Sequence, residues 1–467
     1  MILSRRRLVG AAAVSLAFGG LARAQGAPET YRNEIEGYGP LKPDPNGIFD
    51  LPEGFSYTVV SCAGQEMDDG YLVPANADGM ACFPGKGSKV ILMRNHENTP
   101  KHINSGPLGV ARSLKKRPRP EKVFDTYTAN GEPLPGGVSR LVYDTAAKKL
   151  VQAEMALFGT STNCAGGPTP WGSWLTCEET AVGPKDGVGK PHGWVFEVPA
   201  NGRGLADPVP LRAMGRFFHE AAAVDPATGV VYLTEDGPSP GRDGLFYRFI
   251  PDTPGQLALG GKLQALALRD QPGADARNWD GKVTWKQGDI RQTAWIDLTD
   301  VEAPDNDLRV RGHAAGAAIV GRGEGIYRGE DGFYVSCTNS GPAKHGQILR
   351  YRPSPHEGRP GEAEAPGTVE LFIESVDERV LDFPDNLTIA PNGHLMVCED
   401  RYSNTLRNHL RAITPEGKTY TIGRNVYRDN AELAGVCFSP DGSTLFVNIF
   451  YPGITLAITG PWASLKG

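Results

Sequence analysis

The sequence predicts an all-β protein, a six-bladed β-propeller with loop insertions, on three observations. A unit of two short strand candidates around a tight turn recurs along the chain, and each copy ends on acidic or amide residues. Gly 59 and Pro 38 among 467 residues provide the many turns such a fold requires. Radial repetition gives each blade a small core of its own, which suits a chain longer than one ordinary core can serve.

The unit is clearest at residues 219–236. His219-Glu220-Ala221-Ala222-Ala223-Val224 enters an Asp225-Pro226-Ala227-Thr228-Gly229 turn, and Val230-Val231-Tyr232-Leu233 leads out to Thr234-Glu235-Asp236. The reversal collects Glu220, Glu235 and Asp236 at one edge. The same layout runs from Asn163-Cys164 to Cys177-Glu178-Glu179, from Asp385-Asn386 to Cys398-Glu399-Asp400, and from Glu432 to Asn448. Weaker copies end in Asn95-His96-Glu97-Asn98 and in Ser336-Cys337-Thr338-Asn339.

Residues 1–24 form a twin-arginine signal peptide: Ser4-Arg5-Arg6-Arg7-Leu8-Val9, an apolar segment to Leu21 shorter than a membrane span, and Ala22-Arg23-Ala24 before a cleaved bond. Export through the twin-arginine machinery to the periplasm, without stable membrane insertion after cleavage, is the expectation. Residues 25–50 read as an irregular N-terminal arm. Residues 51–467 read as a single propeller domain with insertions near 100–137 and 255–310, the first a rim or lid. Seven cysteines are an odd number for an oxidising compartment, and Cys62 with Cys82 is the most plausible pair. The net charge of -6, from Lys+Arg 48 and Asp+Glu 54, argues against a nucleic-acid surface. The run Lys115–Arg119 is then a solvated loop.

If the repeated units are blades, Glu97, Glu178, Glu179, Glu220, Glu235, Asp236, Asp385, Glu399, Asp400 and Glu432 converge. Carboxylates at that density repel and are costly to desolvate, and bound cations are the simplest compensation. Oxygen ligands suit Ca2+, Mg2+ or Mn2+, whereas a Cys177 thiolate adds a transition-metal preference. Glu178 and Glu179 cannot both point inward along a continuing strand, because neighbours alternate. His96 and His219 read as supports for their acidic neighbours. Arg216 and Arg401 are the arginines placed to contact a phosphate. A phosphate-binding nucleotide loop, a nucleophile elbow and a His-Glu-x-x-His motif are all missing.

Asn163-Cys164-Ala165-Gly166-Gly167 through Trp171-Gly172-Ser173-Trp174-Leu175-Thr176-Cys177-Glu178-Glu179, with Arg216-Phe217-Phe218-His219-Glu220, Thr234-Glu235-Asp236 and Pro384-Asp385-Asn386-Leu387, resembles the PhoX-type alkaline phosphatase family. The resemblance implies a six-bladed propeller with iron (Fe3+) and calcium (Ca2+) at its centre, held mainly by carboxylates and one cysteine. It implies Cys177 as that cysteine, Glu178, Glu220, Glu235 and Glu399 as metal ligands, and Arg401 as a substrate-binding arginine. Glu97, Asp236, Asp400 and Glu432 complete the expected set. The activity implied is hydrolysis of phosphate monoesters of small phosphorylated metabolites by metal-activated attack at phosphorus. Hydrolysis of a lactone or phosphotriester, or a non-catalytic metal-stabilised binding propeller, are the alternatives.

Overall fold

Alternating apolar runs such as Val90-Ile91-Leu92-Met93 and Val231-Tyr232-Leu233 pair as antiparallel strands, as their β-branched and aromatic content favours. The computed structural model describes residues 30–110, 117–239, 241, 243–403 and 406–465. The signal segment 1–24 and part of the Lys115–Arg119 run lie outside these residues. Among the described residues no helix is long and apolar enough to cross a membrane.

The arm contributes β1 (Leu41–Lys42) and β2 (Phe49–Pro52), and β3 (Ser56–Cys62) follows. β4 (Ala77–Pro84), β5 (Lys89–His96), β6 (Gly136–Asp144) and β7 (Lys149–Thr160) form a four-stranded sheet. β8 (Asn163–Pro168), β9 (Ser173–Glu178) and β10 (Val195–Pro199) form a three-stranded one. Next come β11 (His219–Val224), β12 (Val231–Glu235), β13 (Asp243–Gly244), β14 (Phe246–Pro251), β15 (Gly261–Leu268) and β16 (Ile290–Asp297). A short helix, α1 (Leu308–Ala314), leads to β17 (Val320–Gly321), β18 (Gly323–Arg328), β19 (Phe333–Cys337), β20 (Gln347–Arg352) and β21 (Thr368–Glu374). β22 (Pro384–Ile389), β23 (Leu395–Glu399), β24 (His409–Ile413) and β25 (Thr419–Asn425) precede β26 (Leu433–Phe438), β27 (Thr444–Ile449) and β28 (Ile454–Thr459).

The pairing corrects the expectation of a six-bladed propeller: the fold is largely β, but its sheets are not six blades. Among the described residues, four-strand units occur four times: β4 to β7, β26-β27-β28-β3, and two that are fused into one nine-stranded sheet, β11-β12-β14-β15-β16-β21-β20-β19-β18. The fusion has a local cause. β16 pairs with β15 through Thr293–Asp297 and with β21 through Ile290–Gln292, so one strand spans two units. Among the described residues the β8-β9-β10 sheet lacks a fourth strand, because the chain beyond Pro199 offers it only a single bridge, Phe196 to Pro210, and proline cannot donate to a ladder. The remaining sheet has six strands because the arm adds β2 to the edge of β25, with Phe49 opposite Asn425. The arm is therefore part of a sheet rather than irregular throughout.

Apolar clusters fill the seams between neighbouring sheets. One joins Leu175, Cys177 and Val195 to Leu233, Tyr247 and Leu263, and another joins Ala81, Phe83 and Val138 to Trp174, Trp194 and Phe196. Each large aliphatic or Phe side chain among them buries area worth roughly 1.5–3 kcal/mol, so the seams hold the sheets edge-on around a common centre. β4, β8, β11, β18, β22 and β26 stand innermost, each packed beside the next. β3 pairs with β28 and closes the chain end on chain beginning, which removes an exposed sheet edge. Every cysteine is a free thiol, Cys62 and Cys82 included.

Candidate metal centre

The innermost strands share one irregularity. The ladder slips between Ala77 and Met80 in β4, Asn163 and Gly166 in β8, His219 and Ala222 in β11, Gly323 and Ile326 in β18, Pro384 and Leu387 in β22, and Ala434 and Cys437 in β26. A β-bulge re-aims the side chain it contains. The second residue of the first five of these strands is Asp78, Cys164, Glu220, Glu324 and Asp385, and all five are buried at the centre. In the first four the residue that follows is small, Gly79, Ala165, Ala221 and Gly325, because the strands crowd there. A Cβ on Gly79 would lie 2.4 Å from the Ala165 Cα, and one on Gly325 would lie 2.5 Å from the Asp385 carbonyl oxygen.

A second tier comes from the residues just past the next strand in four of the units: Glu97 after β5, Glu179 after β9, Asp236 after β12 and Asp400 after β23. Glu432, just before β26, joins them. Three donor sets form a chain through shared members: Asp78, Glu97 and Cys164; Cys164, Glu179 and Glu220; and Glu220, Glu324 and Asp385, each with ligand atoms within 4.8 Å of one another. The Cys164 thiol donates to Glu220 Oε1 at 3.1 Å and to Asp78 Oδ2 at 3.4 Å. Arg322 lies among them, with Nε 3.0 Å from Asp236 Oδ2 and Nη2 2.6 Å from Glu324 Oε1 and 3.1 Å from Asp400 Oδ2.

One guanidinium does not balance this many acids. Burial first, then the neighbouring Glu97, holds the Asp78 carboxyl well above its ordinary range. Burial, with Glu324 and Glu179, does the same to Glu220. Burial, with Asp400 and Asp236, lifts Glu97 to about 8 against the pull of Arg322. Glu179, Asp385 and Glu432 are raised for the same two reasons, burial and like charge, and burial beside Asp78 and Glu220 raises the Cys164 thiol. Asp78 Oδ1 and Glu220 Oε2 are buried with no hydrogen-bond partner. Buried oxygens left bare are costly unless something else meets them. Clustered oxygen donors with a single sulfur are a donor set that fits hard cations together with a transition metal.

The structure separates the expected residues into two groups. Glu97, Glu220, Asp236, Asp400 and Glu432 lie at the centre, and Cys177, Glu178, Glu235 and Glu399 do not. Alternation along a strand is the reason, since one residue of offset changes the face. Cys177 is packed in the apolar seam with Leu175 and Leu233, and the sulfur at the centre belongs to Cys164 instead. Glu178 turns into the wall, where it accepts from His192 Nδ1 at 2.6 Å, from the Ser161 and Gly193 amides at 2.9 Å and from the Trp194 amide at 3.2 Å. Glu235 accepts from the Tyr247 hydroxyl at 2.6 Å and the Leu245 amide at 3.2 Å, and burial lifts it to about 7. Glu399 meets the His409 ring and amide, with Arg411 and Arg401 nearby, and these cations hold it below its ordinary range despite burial.

The two expected phosphate-contacting arginines make their contacts in the wall. Arg216 donates to the backbone carbonyls of His192, Ala181 and Ala303 at 2.7, 2.7 and 3.2 Å. Arg401 pairs with Asp382 Oδ2 at 2.9 Å and donates to the Glu378 carbonyl. Arg401 also lines a cleft of about 630 Å3 that opens beside Asp400 and Glu432, with Tyr402, Arg407 and Arg428 on its walls. His219 supports through Gly215, whose carbonyl lies 3.0 Å from Nε2, and stacks on Phe217. Asp78, Glu324, Arg322 and the central position of Cys164 were missed by sequence reasoning. The signal that finds them is an acid or thiol followed by a small residue at a strand start: Asp78-Gly79, Cys164-Ala165, Glu220-Ala221 and Glu324-Gly325.

Fold and site together define a largely β, propeller-like protein built around a buried carboxylate-and-thiol centre with candidate metal-ligand clusters. The profile of the alkaline phosphatase PhoX family matches residues 36–133 and 137–453, and the chain belongs to that family. No curated protein matches the chain. Among solved structures, Pseudomonas fluorescens PhoX in complex with vanadate, a transition state analogue, aligns with a TM-score of 0.67 and 20% identity over 89% of this chain and 96% of that one, which shows a shared fold. A gluconolactonase from Xanthomonas campestris aligns with a TM-score of 0.42 and 13% identity, covering 90% and 98% of the two chains. A protein of unknown function from Dyadobacter fermentans aligns with a TM-score of 0.44 and 10% identity over 87% and 99%.

Proposed function

We propose that this chain is an exported, metal-dependent phosphatase that hydrolyses phosphate monoesters at the central acid cluster. The observation that carries the reading is the gathering of buried Asp78, Cys164, Glu220, Glu324 and Asp385 with half-buried Glu97 and Glu179 in overlapping donor sets, with bare oxygens on Asp78 and Glu220. Family membership and the signal-like N-terminus support the same reading. Cys164 and the adjoining carboxylates would hold an iron ion, and the all-oxygen set of Glu220, Glu324 and Asp385 would hold calcium. When bound, such cations polarise a phosphoryl oxygen and lower the pKa of water.

The chain's own residues do the rest. Arg322, raised and kept cationic by Glu324, Asp400 and Asp236 against the cost of burial, is the guanidinium able to meet a phosphoryl oxygen at this centre. The cleft beside Asp400 and Glu432 admits the ester from solvent and accommodates its leaving group. The bulged, Gly-lined strands fix the carboxylates without side-chain freedom to lose, which is the preorganisation that charge-stabilising sites need. The test is phosphate release from a small phosphomonoester by protein of known metal content, before and after chelation and on metal return. Release that chelation abolishes and metal restores supports the reading; a fully metallated protein that releases none refutes it.

A further inference from the structure

The seam between the first and last sheets holds two thiols that the central chemistry does not use. Both innermost strands there begin at the acid cluster, β4 with Asp78 and β26 just after Glu432, and run outward side by side. They approach closely, since a Cβ on Gly435 would lie 3.0 Å from the Met80 Cβ. Two residues further along each strand are Cys82 and Cys437. Cys437 and Met80 belong to one apolar cluster, and Cys82 packs against it. Both cysteines also line a single cavity of about 70 Å3 between the innermost strands.

We propose that Cys82 and Cys437 form a dithiol site that a small disulfide oxidant closes into a disulfide across this seam. Cys82 is partly exposed and Cys437 is buried, so Cys82 reacts first. Its thiolate attacks one sulfur of the oxidant, breaking that S–S bond and releasing one thiol. Cys437 then attacks the Cys82 sulfur of the mixed disulfide and releases the second thiol. The two protons lost by the cysteines end on the two released thiols; the protein dithiol is oxidised by two electrons and the oxidant is reduced by two. Burial pushes both thiols up, which slows the exchange. Cys398 lies near enough to Cys437 to be the competing partner, but it packs in a different seam cluster with Met396 and Leu410. The bridge would tie the strand that presents Asp78 to the strand that follows Glu432, joining residues far apart in the chain, the case in which a cross-link most restricts the unfolded state.

The test uses the full chain as purified. The reduced protein is held for a long incubation with excess oxidised glutathione, quenched by alkylation, and mapped by mass spectrometry without reductant. The expected result is one intramolecular link, Cys82 to Cys437, with loss of the mass of two hydrogens, a melting temperature raised by several degrees, and reversal by reductant. Cys82→Ala should lose both the link and the thermal gain. The wild-type map needs no variant, so it decides the matter even if that substitution impairs folding. Both cysteines remaining alkylated, a glutathione adduct that never resolves, or a link from Cys437 to Cys398 would each overturn the proposal.

Discussion

Replacing Glu220 by Gln should change stability in opposite directions with and without metal. Glu220, Glu324 and Asp385 bring ligand atoms within 4.8 Å of one another. At that separation and an effective dielectric constant of about 20, each ionised pair costs about 3.5 kcal/mol. Glu220 faces Glu324, Glu179, Asp385 and Asp78, and its Oε2 has no partner to offset them. The neutral amide keeps the shape and removes one charge. In chelated protein near pH 8, Glu220→Gln should therefore be more stable than wild type by about 3 kcal/mol, the order of one relieved pair. In metal-loaded protein the order reverses, because a ligand is gone and occupancy no longer contributes to stability through binding. Denaturant unfolding of both proteins, each with metal and with chelator, reads all four values. A variant less stable than wild type under both conditions would refute the reasoning, since the cluster would then not be a like-charge cage.

Cys164→Ala should abolish bound transition metal, whereas Cys177→Ala should cost about 1–2 kcal/mol of core packing and leave metal content unchanged; elemental analysis of the two variants separates them. His192 sits between Glu178 Oε1 at 2.6 Å and Asp125 Oδ2 at 3.1 Å, and although burial opposes its charge these carboxylates lift it from 6.5 to about 9. A raised folded-state value means that its stabilisation is complete below pH 6.5 and is lost as pH climbs through about 9. His192→Gln should lower stability by about 3 kcal/mol at pH 6 and flatten that alkaline decline in a pH series of melts. Arg322→Ala should lower kcat/KM for a phosphomonoester by about a hundredfold or more. Arg216→Ala should instead lose about 3 kcal/mol of stability, with kcat/KM of the folded protein unchanged, as its donors serve backbone carbonyls.

The hairpins were legible because their turns are written in Pro, Asp and Gly. Asp225 accepts from the Thr228 hydroxyl at 2.6 Å, and Gly229 takes a positive φ of 76°, as the Asp-Pro-Ala-Thr-Gly run predicts. Convergence of acids followed from those hairpins. The side each residue takes did not. Glu178, Glu235 and Glu399 end their strands facing the wall, and Glu179 and the paired positions Asp236 and Asp400, one residue on, face the centre. Bulges at Asn163–Gly166 and Gly323–Ile326 turn Cys164 and Glu324 inward, and a bulge has no signature in a strand's apolar alternation. Sheet boundaries were equally hidden, because β16 reads as one more strand and only its two-sided pairing fuses neighbouring units.

The most direct measurement is the metal content of the purified full-length protein, taken beside that of Cys164→Ala. A centre that needs cations to hold its acids together should retain a transition metal and calcium through purification, with the transition metal lost from the variant. Wild-type protein that is folded at pH 8, free of metal and no less stable for it would contradict the account.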